Sequence, residues 1–140
     1  MSNKKLQLKI ITPDSVIYEG DVTYVNLMTG AGELTILPDH IPLITTIKTG
    51  QIKVGKDGDV FALAVSTGIL EVQKDSHVVI LAERSEMAHL IDLSRAEEAY
   101  KRAEEIKKRI KDGEDVDDAK VSALIDKELN RIKVGSKWKK

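Results

Sequence analysis

Three histidines, His40, His77 and His89, are the first side chains to test for chemistry. They are scattered, with no HxxxH or HExxH pairing to set two imidazoles around a metal. His40 lies beside Pro38-Asp39, where a lone imidazole is more often a hydrogen-bonding turn residue than a ligand. No GxSxG elbow lifts a serine into a nucleophile's position. "GAGELT", residues 30–35, has glycines but lacks the GK[ST] ending that brings a lysine to phosphates. The chain has no cysteine, so thiolate catalysis, disulfides and cysteine zinc sites are excluded, which suits a reducing compartment. Nothing here reads as an enzyme. On helices, Arg95 and Arg102, seven apart, would share a face, as would Lys127 and Arg131, four apart.

The elements that must position these groups fall into two rhythms. Up to about residue 86 the apolar period is near two. In "KLQLKI", Leu6, Leu8 and Ile10 alternate with Lys5, Gln7 and Lys9, as on a half-buried strand. "DVTYVNLM" reads as one strand between two layers, with Val22, Tyr24 and Met28 on one face and Val25 and Leu27 on the other. "ELTIL", "PLITTI", "QIKV", "VFALAVS", "ILEVQ" and "HVVILA" read as further strands. Pro13-Asp14, Gly30, Thr49-Gly50, Asp57-Gly58 and Lys74-Asp75 supply turn chemistry between them. Short strands with no helix between them predict an antiparallel β-sandwich or flattened barrel, over residues 1–87.

Over residues 88–140 the period becomes helical. Ala96, Ala99, Ala103, Ile106 and Ile110 form one apolar stripe. Glu97/Lys101, Glu98/Arg102, Glu104/Lys108 and Glu105/Arg109 place acid before base at i,i+4, each adding about 0.3 kcal/mol. Gly113 can end this helix, and Asp115 or Asp117 can cap a second whose apolar side is Val121, Leu124, Ile125, Leu129 and Ile132. An antiparallel helix-turn-helix hairpin is expected. Alanine buries little area yet is the best helix former, so the stripe predicts a weakly docked, mobile appendage on a firm β body.

Charge is abundant, at 32% of residues, but the net of −1 gives no polybasic signature for nucleic acid or lipid. The tail "RIKVGSKWKK" is basic, and such tails are usually solvated. No apolar run reaches the length that spans a bilayer. Any link to a membrane is expected to be indirect.

"GAGELTILPDHIPLITTIKTGQIKV" resembles the signature of the epsilon subunit of bacterial and chloroplast F-type ATP synthases, usually GxxGELGILPxHxPLLTxLxxG. "STGILEVQKDSHVVILAE", "IDLSRAEEAYKRAE" and "ELNRIKV" resemble later blocks of that family, in the same order over nearly the whole chain. Thr35 and Asp39 stand where the family often has glycine, and Thr67 replaces the first glycine of its SGGILEV block. A threonine does not comfortably take φ > 0, so either those backbone positions are ordinary here or the loop differs locally.

The resemblance implies a non-catalytic rotor subunit of the central stalk. It would couple rotation of the c-subunit ring to ATP synthesis on the cytoplasmic face of a bacterial cell membrane, as a peripheral component. Met1 without a transit-type leader agrees with a bacterial product. The loop at Gly32, Glu33 and Leu34 would meet the c ring, and His40 would lie near the gamma subunit. The hairpin would inhibit ATP hydrolysis when extended toward the catalytic alpha and beta subunits. No cofactor is required, but "IDLSRA" is similar to an ATP-binding motif of some members. That likeness gives a regulatory ATP site of Glu83, Ile91, Asp92, Arg95, Ala96, Arg102, Lys127 and Arg131. Lys127 stands where better-known ATP binders carry arginine, keeping the charge without bidentate geometry. Asp92 as an N-cap, with Ile91 and Ala96 as a hydrophobic staple, accounts for part of the motif but not for four cations. The alternative is a stand-alone β-sandwich ligand-binding or adaptor module with a helical oligomerisation tail.

Overall fold

The computed structural model describes residues 4–111 and 118–138. Nine strands come first: β1 (Leu6–Ile11), β2 (Val16–Val22), β3 (Tyr24–Thr29), β4 (Gly32–Ile36), β5 (Leu43–Lys56), β6 (Asp59–Val65), β7 (Gly68–Gln73), β8 (His77–Ala82) and β9 (Ser85–Met87). A 3-10 turn, Ala88–Leu90, leads to α1 (Leu93–Lys111) and α2 (Asp118–Lys137). The ladder order is β2-β1-β8-β7-β5-β3-β4, with β6 on β5 and β9 on β6.

Period-two patterning explains the core. Leu6, Leu8 and Ile10 of β1, Val25 and Leu27 of β3, Leu70 and Val72 of β7, and Val78 and Ile80 of β8 all point inward and are buried. They join Ile36, Ile47, Ile52, Val54 and Leu63 in one aliphatic cluster. Each fully buried leucine or isoleucine contributes about 1.5–3 kcal/mol, so this cluster dominates the stability of the β body. The few aromatics sit at its margin, where Tyr18 and Phe61 rings lie 5.2 Å apart.

Five sequence expectations need correction. The sheet is not wholly antiparallel, because β1 and β8 pair in parallel through Gln7↔His77 to Ile11↔Leu81. These strands are distant in the chain, so no hairpin turn forces them antiparallel. "PLITTI" and "QIKV" are one strand of 14 residues, not two. Thr49-Gly50 is no turn: there β5 changes partners, from β7 along residues 43–47 to β6 along residues 50–56. "DVTYVNLM" breaks at Thr23, so Val22 ends β2 and Val25 belongs to β3, both buried. Met28 is exposed, so β3 is not covered on both faces. Strand β2 escaped notice because Val16, Ile17 and Tyr18 are consecutive and show no alternation.

The backbone resolves the departures from glycine. Thr35 and Thr67 have ordinary negative φ, whereas Asp39 sits at φ 66°, a conformation its short polar side chain tolerates. Asp92 precedes α1 and accepts a hydrogen bond from the Arg95 N–H at 3.1 Å, so the capping role is realised. Ala96 and Ala103 of α1 and Val121 of α2 are buried. The two helices pack together, and Gly135 near the end of α2 lies against Ile91 and Leu93 at the start of α1, which makes the pair antiparallel. Gly113, Asp115 and Asp117 lie outside the described residues.

Gly68 marks the tightest approach of backbone to backbone inside the body. A Cβ there would sit 2.2 Å from the Leu81 carbonyl oxygen and 2.8 Å from the Ala82 Cα, both backbone atoms that cannot swing away. Gly50 differs, since its nearest neighbour would be 3.9 Å away. Gly68→Ala is expected to cost about 1–3 kcal/mol through overpacking, and Gly50→Ala less than about 0.5 kcal/mol in either direction. Urea unfolding followed by circular dichroism reads both; equal stabilities would refute the close-packing account.

Candidate functional site

The hairpin lies docked, with α2 seated on β5, β6 and the 3-10 turn. Its apolar contact is small: Ala62, Ala64, Ala88 and Val134, with Ile91 and Trp138 packed beside them, form a cluster separate from the sandwich core. Three polar clips supplement it. The Asn130 side-chain amide donates to the Gly50 carbonyl at 2.8 Å. The Trp138 indole N–H donates to Gln51 Oε1 at 3.0 Å. The Arg131 guanidinium reaches Glu86 on β9 through Nε, and Glu128 through Nη1 at 2.8 Å.

Beside these clips opens a cleft of about 360 Å³ between the start of β2, the β8–β9 link and α2. Its lining includes Asp14, Glu83, Arg84, Glu86, Lys127 and Arg131. Glu128 stands behind it, 3% exposed, with Lys127 Nζ at 3.4 Å. Burial of Arg131 lowers its pKa, but hydrogen bonds and attraction from Glu86 and Glu128 raise it more, so the net shift is upward. Its folded-state pKa exceeds the unfolded one, so the arginine's contribution is complete below the ordinary arginine pKa and lost only in extreme alkali. Arg131 is therefore a permanent cation.

The eight residues expected around a nucleotide are thus only partly gathered. Glu83, Lys127 and Arg131 line the cleft. Ile91 and Asp92 line a second, open groove with Leu93, Ser94 and Gly135. The Arg95 side chain is 83% exposed and paired with Asp92 at 3.7 Å, Arg102 is exposed, and Ala96 is buried. Neither cleft brings all four cations together, and the one that holds two of them is mixed in charge. Glu86, Glu128 and Asn130 were missed from the sequence. Glu128 alone carried a signal, as an acid seven residues after Val121 on the apolar stripe of α2.

The second group of expected contacts lies on the β body. Gly32, Glu33 and Leu34 belong to strand β4 and not to a loop; the turn is residues 30–31. It is held by the Thr29 hydroxyl, which donates to the Gly32 carbonyl at 2.7 Å, and by the Gly30 N–H, which donates to Thr46 O at 3.0 Å. Glu33 is exposed and accepts from Asn26 at 3.2 Å, while Leu34 packs on the sandwich core. His40 lies beyond the other end of β4, its Nδ1 2.7 Å from the Ile41 carbonyl. Five residues of strand, about 17 Å, intervene.

The outer sheet face carries a further feature. Register aligns Val16, Ile11, Leu81 and Ile69 side by side across β2, β1, β8 and β7. Val16, Leu81 and Ile69 are about half exposed, and Ile44 and Ile41 more so.

A family model described as "ATP synthase, Delta/Epsilon chain, beta-sandwich domain" matches residues 5–88. Another, "ATP synthase, Delta/Epsilon chain, long alpha-helix domain", matches residues 90–135. The chain belongs to the ATP synthase delta/epsilon family. It is 40% identical over 131 residues to the ATP synthase epsilon chain of Bacillus licheniformis, covering 94% of this chain and 98% of that one. It is 38% identical to the epsilon chain of Desulforamulus reducens, over 93% and 96% of the two chains. A chain in the cryo-EM structure of the Euglena gracilis mitochondrial ATP synthase superposes with a TM-score of 0.70 at 19% identity, covering 94% of this chain and 81% of that one. That likeness supports the fold. Members of the epsilon family are non-catalytic subunits, which fits the lack of enzymatic motifs. Among the described residues no helix is long and apolar enough to cross a membrane, and no metal-binding cluster occurs.

In this delta/epsilon chain, removing the Asn130 amide leaves the Gly50 carbonyl without that donor, at a cost of about 1 kcal/mol. Asn130→Ala is expected to speed amide exchange in α2 about fivefold while leaving β1 and β8 unchanged. Mass-resolved hydrogen exchange checks it; an equal change in both regions would mean that the hairpin and body open as one.

Proposed function

We propose that this chain is a rotor subunit in the central stalk of a proton-translocating F-type ATP synthase, peripheral on the cytoplasmic face of a bacterial membrane. The exposed apolar row of Val16, Ile11, Leu81 and Ile69 carries this reading. An isolated monomer has little use for a continuous apolar stripe rimmed by Lys9, Glu19 and Glu71, whereas a subunit interface does. The gamma subunit is the partner assigned to that face, with His40 near its edge. The 30–34 hairpin, with Gly32, Glu33 and Leu34, is assigned to the c ring. A stiff aliphatic body suits transmission of torque between the two. The relatives' shared name as epsilon chains, and their match to both halves of this one, favour this reading over a stand-alone adaptor.

The helices supply regulation. Detached and extended along the stalk toward the catalytic alpha and beta subunits, they would obstruct rotation in the hydrolytic direction. Docked as described above, they leave it free. ATP is the proposed ligand of the docked form, meeting Lys127 and Arg131 with its phosphates. Glu83 would meet the base side, and Ile91, Asp92, Arg95, Ala96 and Arg102 would close in from α1. Long, exposed Arg95 and Arg102 side chains have the freedom to swing inward.

Ile69→Asp introduces a charge into the apolar row without touching the core. It is expected to weaken co-purification with the gamma subunit at least tenfold, while thermal unfolding of the free chain shifts little. Glu33→Lys is expected to lower proton-driven ATP synthesis with the chain still assembled; unimpaired synthesis would remove the c-ring role. For the ligand, ATP titration should compact the hairpin in the native chain and fail to do so in Arg95→Ala. No response at about 1 mM ATP rejects nucleotide binding in a useful range.

A further inference from the structure

We infer that the docked hairpin is held by a self-contained ionic latch, in which the Glu86 carboxylate on β9 occupies the Arg131 guanidinium that an anionic ligand would need. The inference rests on the reading of the hairpin as detachable, not on the binding of ATP.

Four groups make the device: Glu86 and Glu128 with Lys127 and Arg131, two carboxylates and two cations that sum to zero charge. Glu128 is the fixed point. Its side chain is almost fully buried, a position that is costly for a carboxylate unless cations compensate it. Lys127 and Arg131 provide that compensation from the same helix, at 3.4 and 2.8 Å. Their pairing is intrahelical, so it travels with α2 when the helix leaves the body. Glu86 alone comes from the β body, and it engages Arg131 through Nε and, at 3.5 Å, through Nη2. Detachment therefore breaks one forked ion pair and leaves Arg131 held by Glu128 in a geometry ready to close again.

The latch also sets a threshold for anions. A triphosphate approaching Arg131 in the cleft meets Glu83, Glu86 and Asp14, and must displace Glu86 before it gains the guanidinium. Glu86 thus acts as a positioning residue that substitutes for a ligand. The small alanine contact of α2 with the body makes this one pair a large share of what keeps the hairpin down.

The test uses the full chain. Its lack of cysteine allows two labels at exposed positions, Gln73→Cys on the body and Lys101→Cys on α1, with their separation read by pulsed electron paramagnetic resonance. Without nucleotide, Glu86→Gln is expected to raise the detached population about tenfold, the worth of a charge-assisted pair. Glu105→Gln on the exposed face of α1, the same change of charge, is expected to leave it unaltered. Amide exchange of β1 and β8 verifies that the body stays folded. In a second arm, ATP should shift Glu86→Gln at lower concentration than the native chain. If Glu86→Gln leaves the nucleotide-free distances unchanged, the latch is overturned whatever ATP does. If it detaches the hairpin while ATP moves neither protein, the latch stands and ATP regulation falls.

Discussion

Strand β5 is the constraint on which the rest of the structure turns. Its 14 residues run unbroken, pairing with β7 in the first half and with β3 and β6 in the second. Ile47, Ile52 and Val54 from both halves enter one cluster, so a single strand ties together the two halves of the folded sheet. The same second half offers the Gly50 carbonyl to Asn130 and the Gln51 amide oxygen to Trp138. The segment that closes the body is thus also the landing strip for α2. Closure of the body and seating of the helix therefore depend on the same stretch of backbone.

Energetics divide the chain into two regimes. Leucine and isoleucine side chains with nearly no exposure fill the β body, each worth a large fraction of a domain's marginal net stability. Between α2 and the body the buried residues are Ala62, Ala64, Ala88 and Val134, whose side chains remove far less apolar area from water. Orientation must therefore come from directional contacts, and the structure supplies them at Asn130, Arg131 and Trp138. Gly135 completes the fit, since a Cβ there would lie 2.9 Å from Leu93 Cδ2 and 3.1 Å from Ile91 Cγ2. A few polar bonds and a tight notch thus seat the helices on the body, apart from the core beneath them.

How far the sequence disclosed this follows from the range of each interaction. Alternation in "KLQLKI" and "HVVILA" is local and reports burial directly, so β1 and β8 were legible; their parallel pairing, set by partners some seventy residues apart, was not. Asp57-Gly58 and Thr49-Gly50 look alike as turn dipeptides, yet only the first turns. At the second, strands on both edges hold the chain extended and override the local preference. Asp92 was legible as a cap because capping spans three residues. Glu86 was not, since its meaning depends on Arg131, 45 residues away. The four cations fared in between: helical spacing gave the correct shared faces, but orientation left Arg95 toward solvent and turned Arg131 inward.

That inward turn carries the last consequence. Arg131 is engaged by two carboxylates, and its raised pKa expresses the preference of that setting for the charged form. A cation so satisfied is a poor empty receptor but a good structural tie. Sequence motifs report only that an arginine is present at the right spacing; whether it awaits a ligand or already has one is decided by the acids that the fold brings to it. In this chain β9, three residues long, brings Glu86 to α2. On the proposed reading, removing that short strand's contribution would alter the balance between docked and detached helices more than a change on the solvated face of α1.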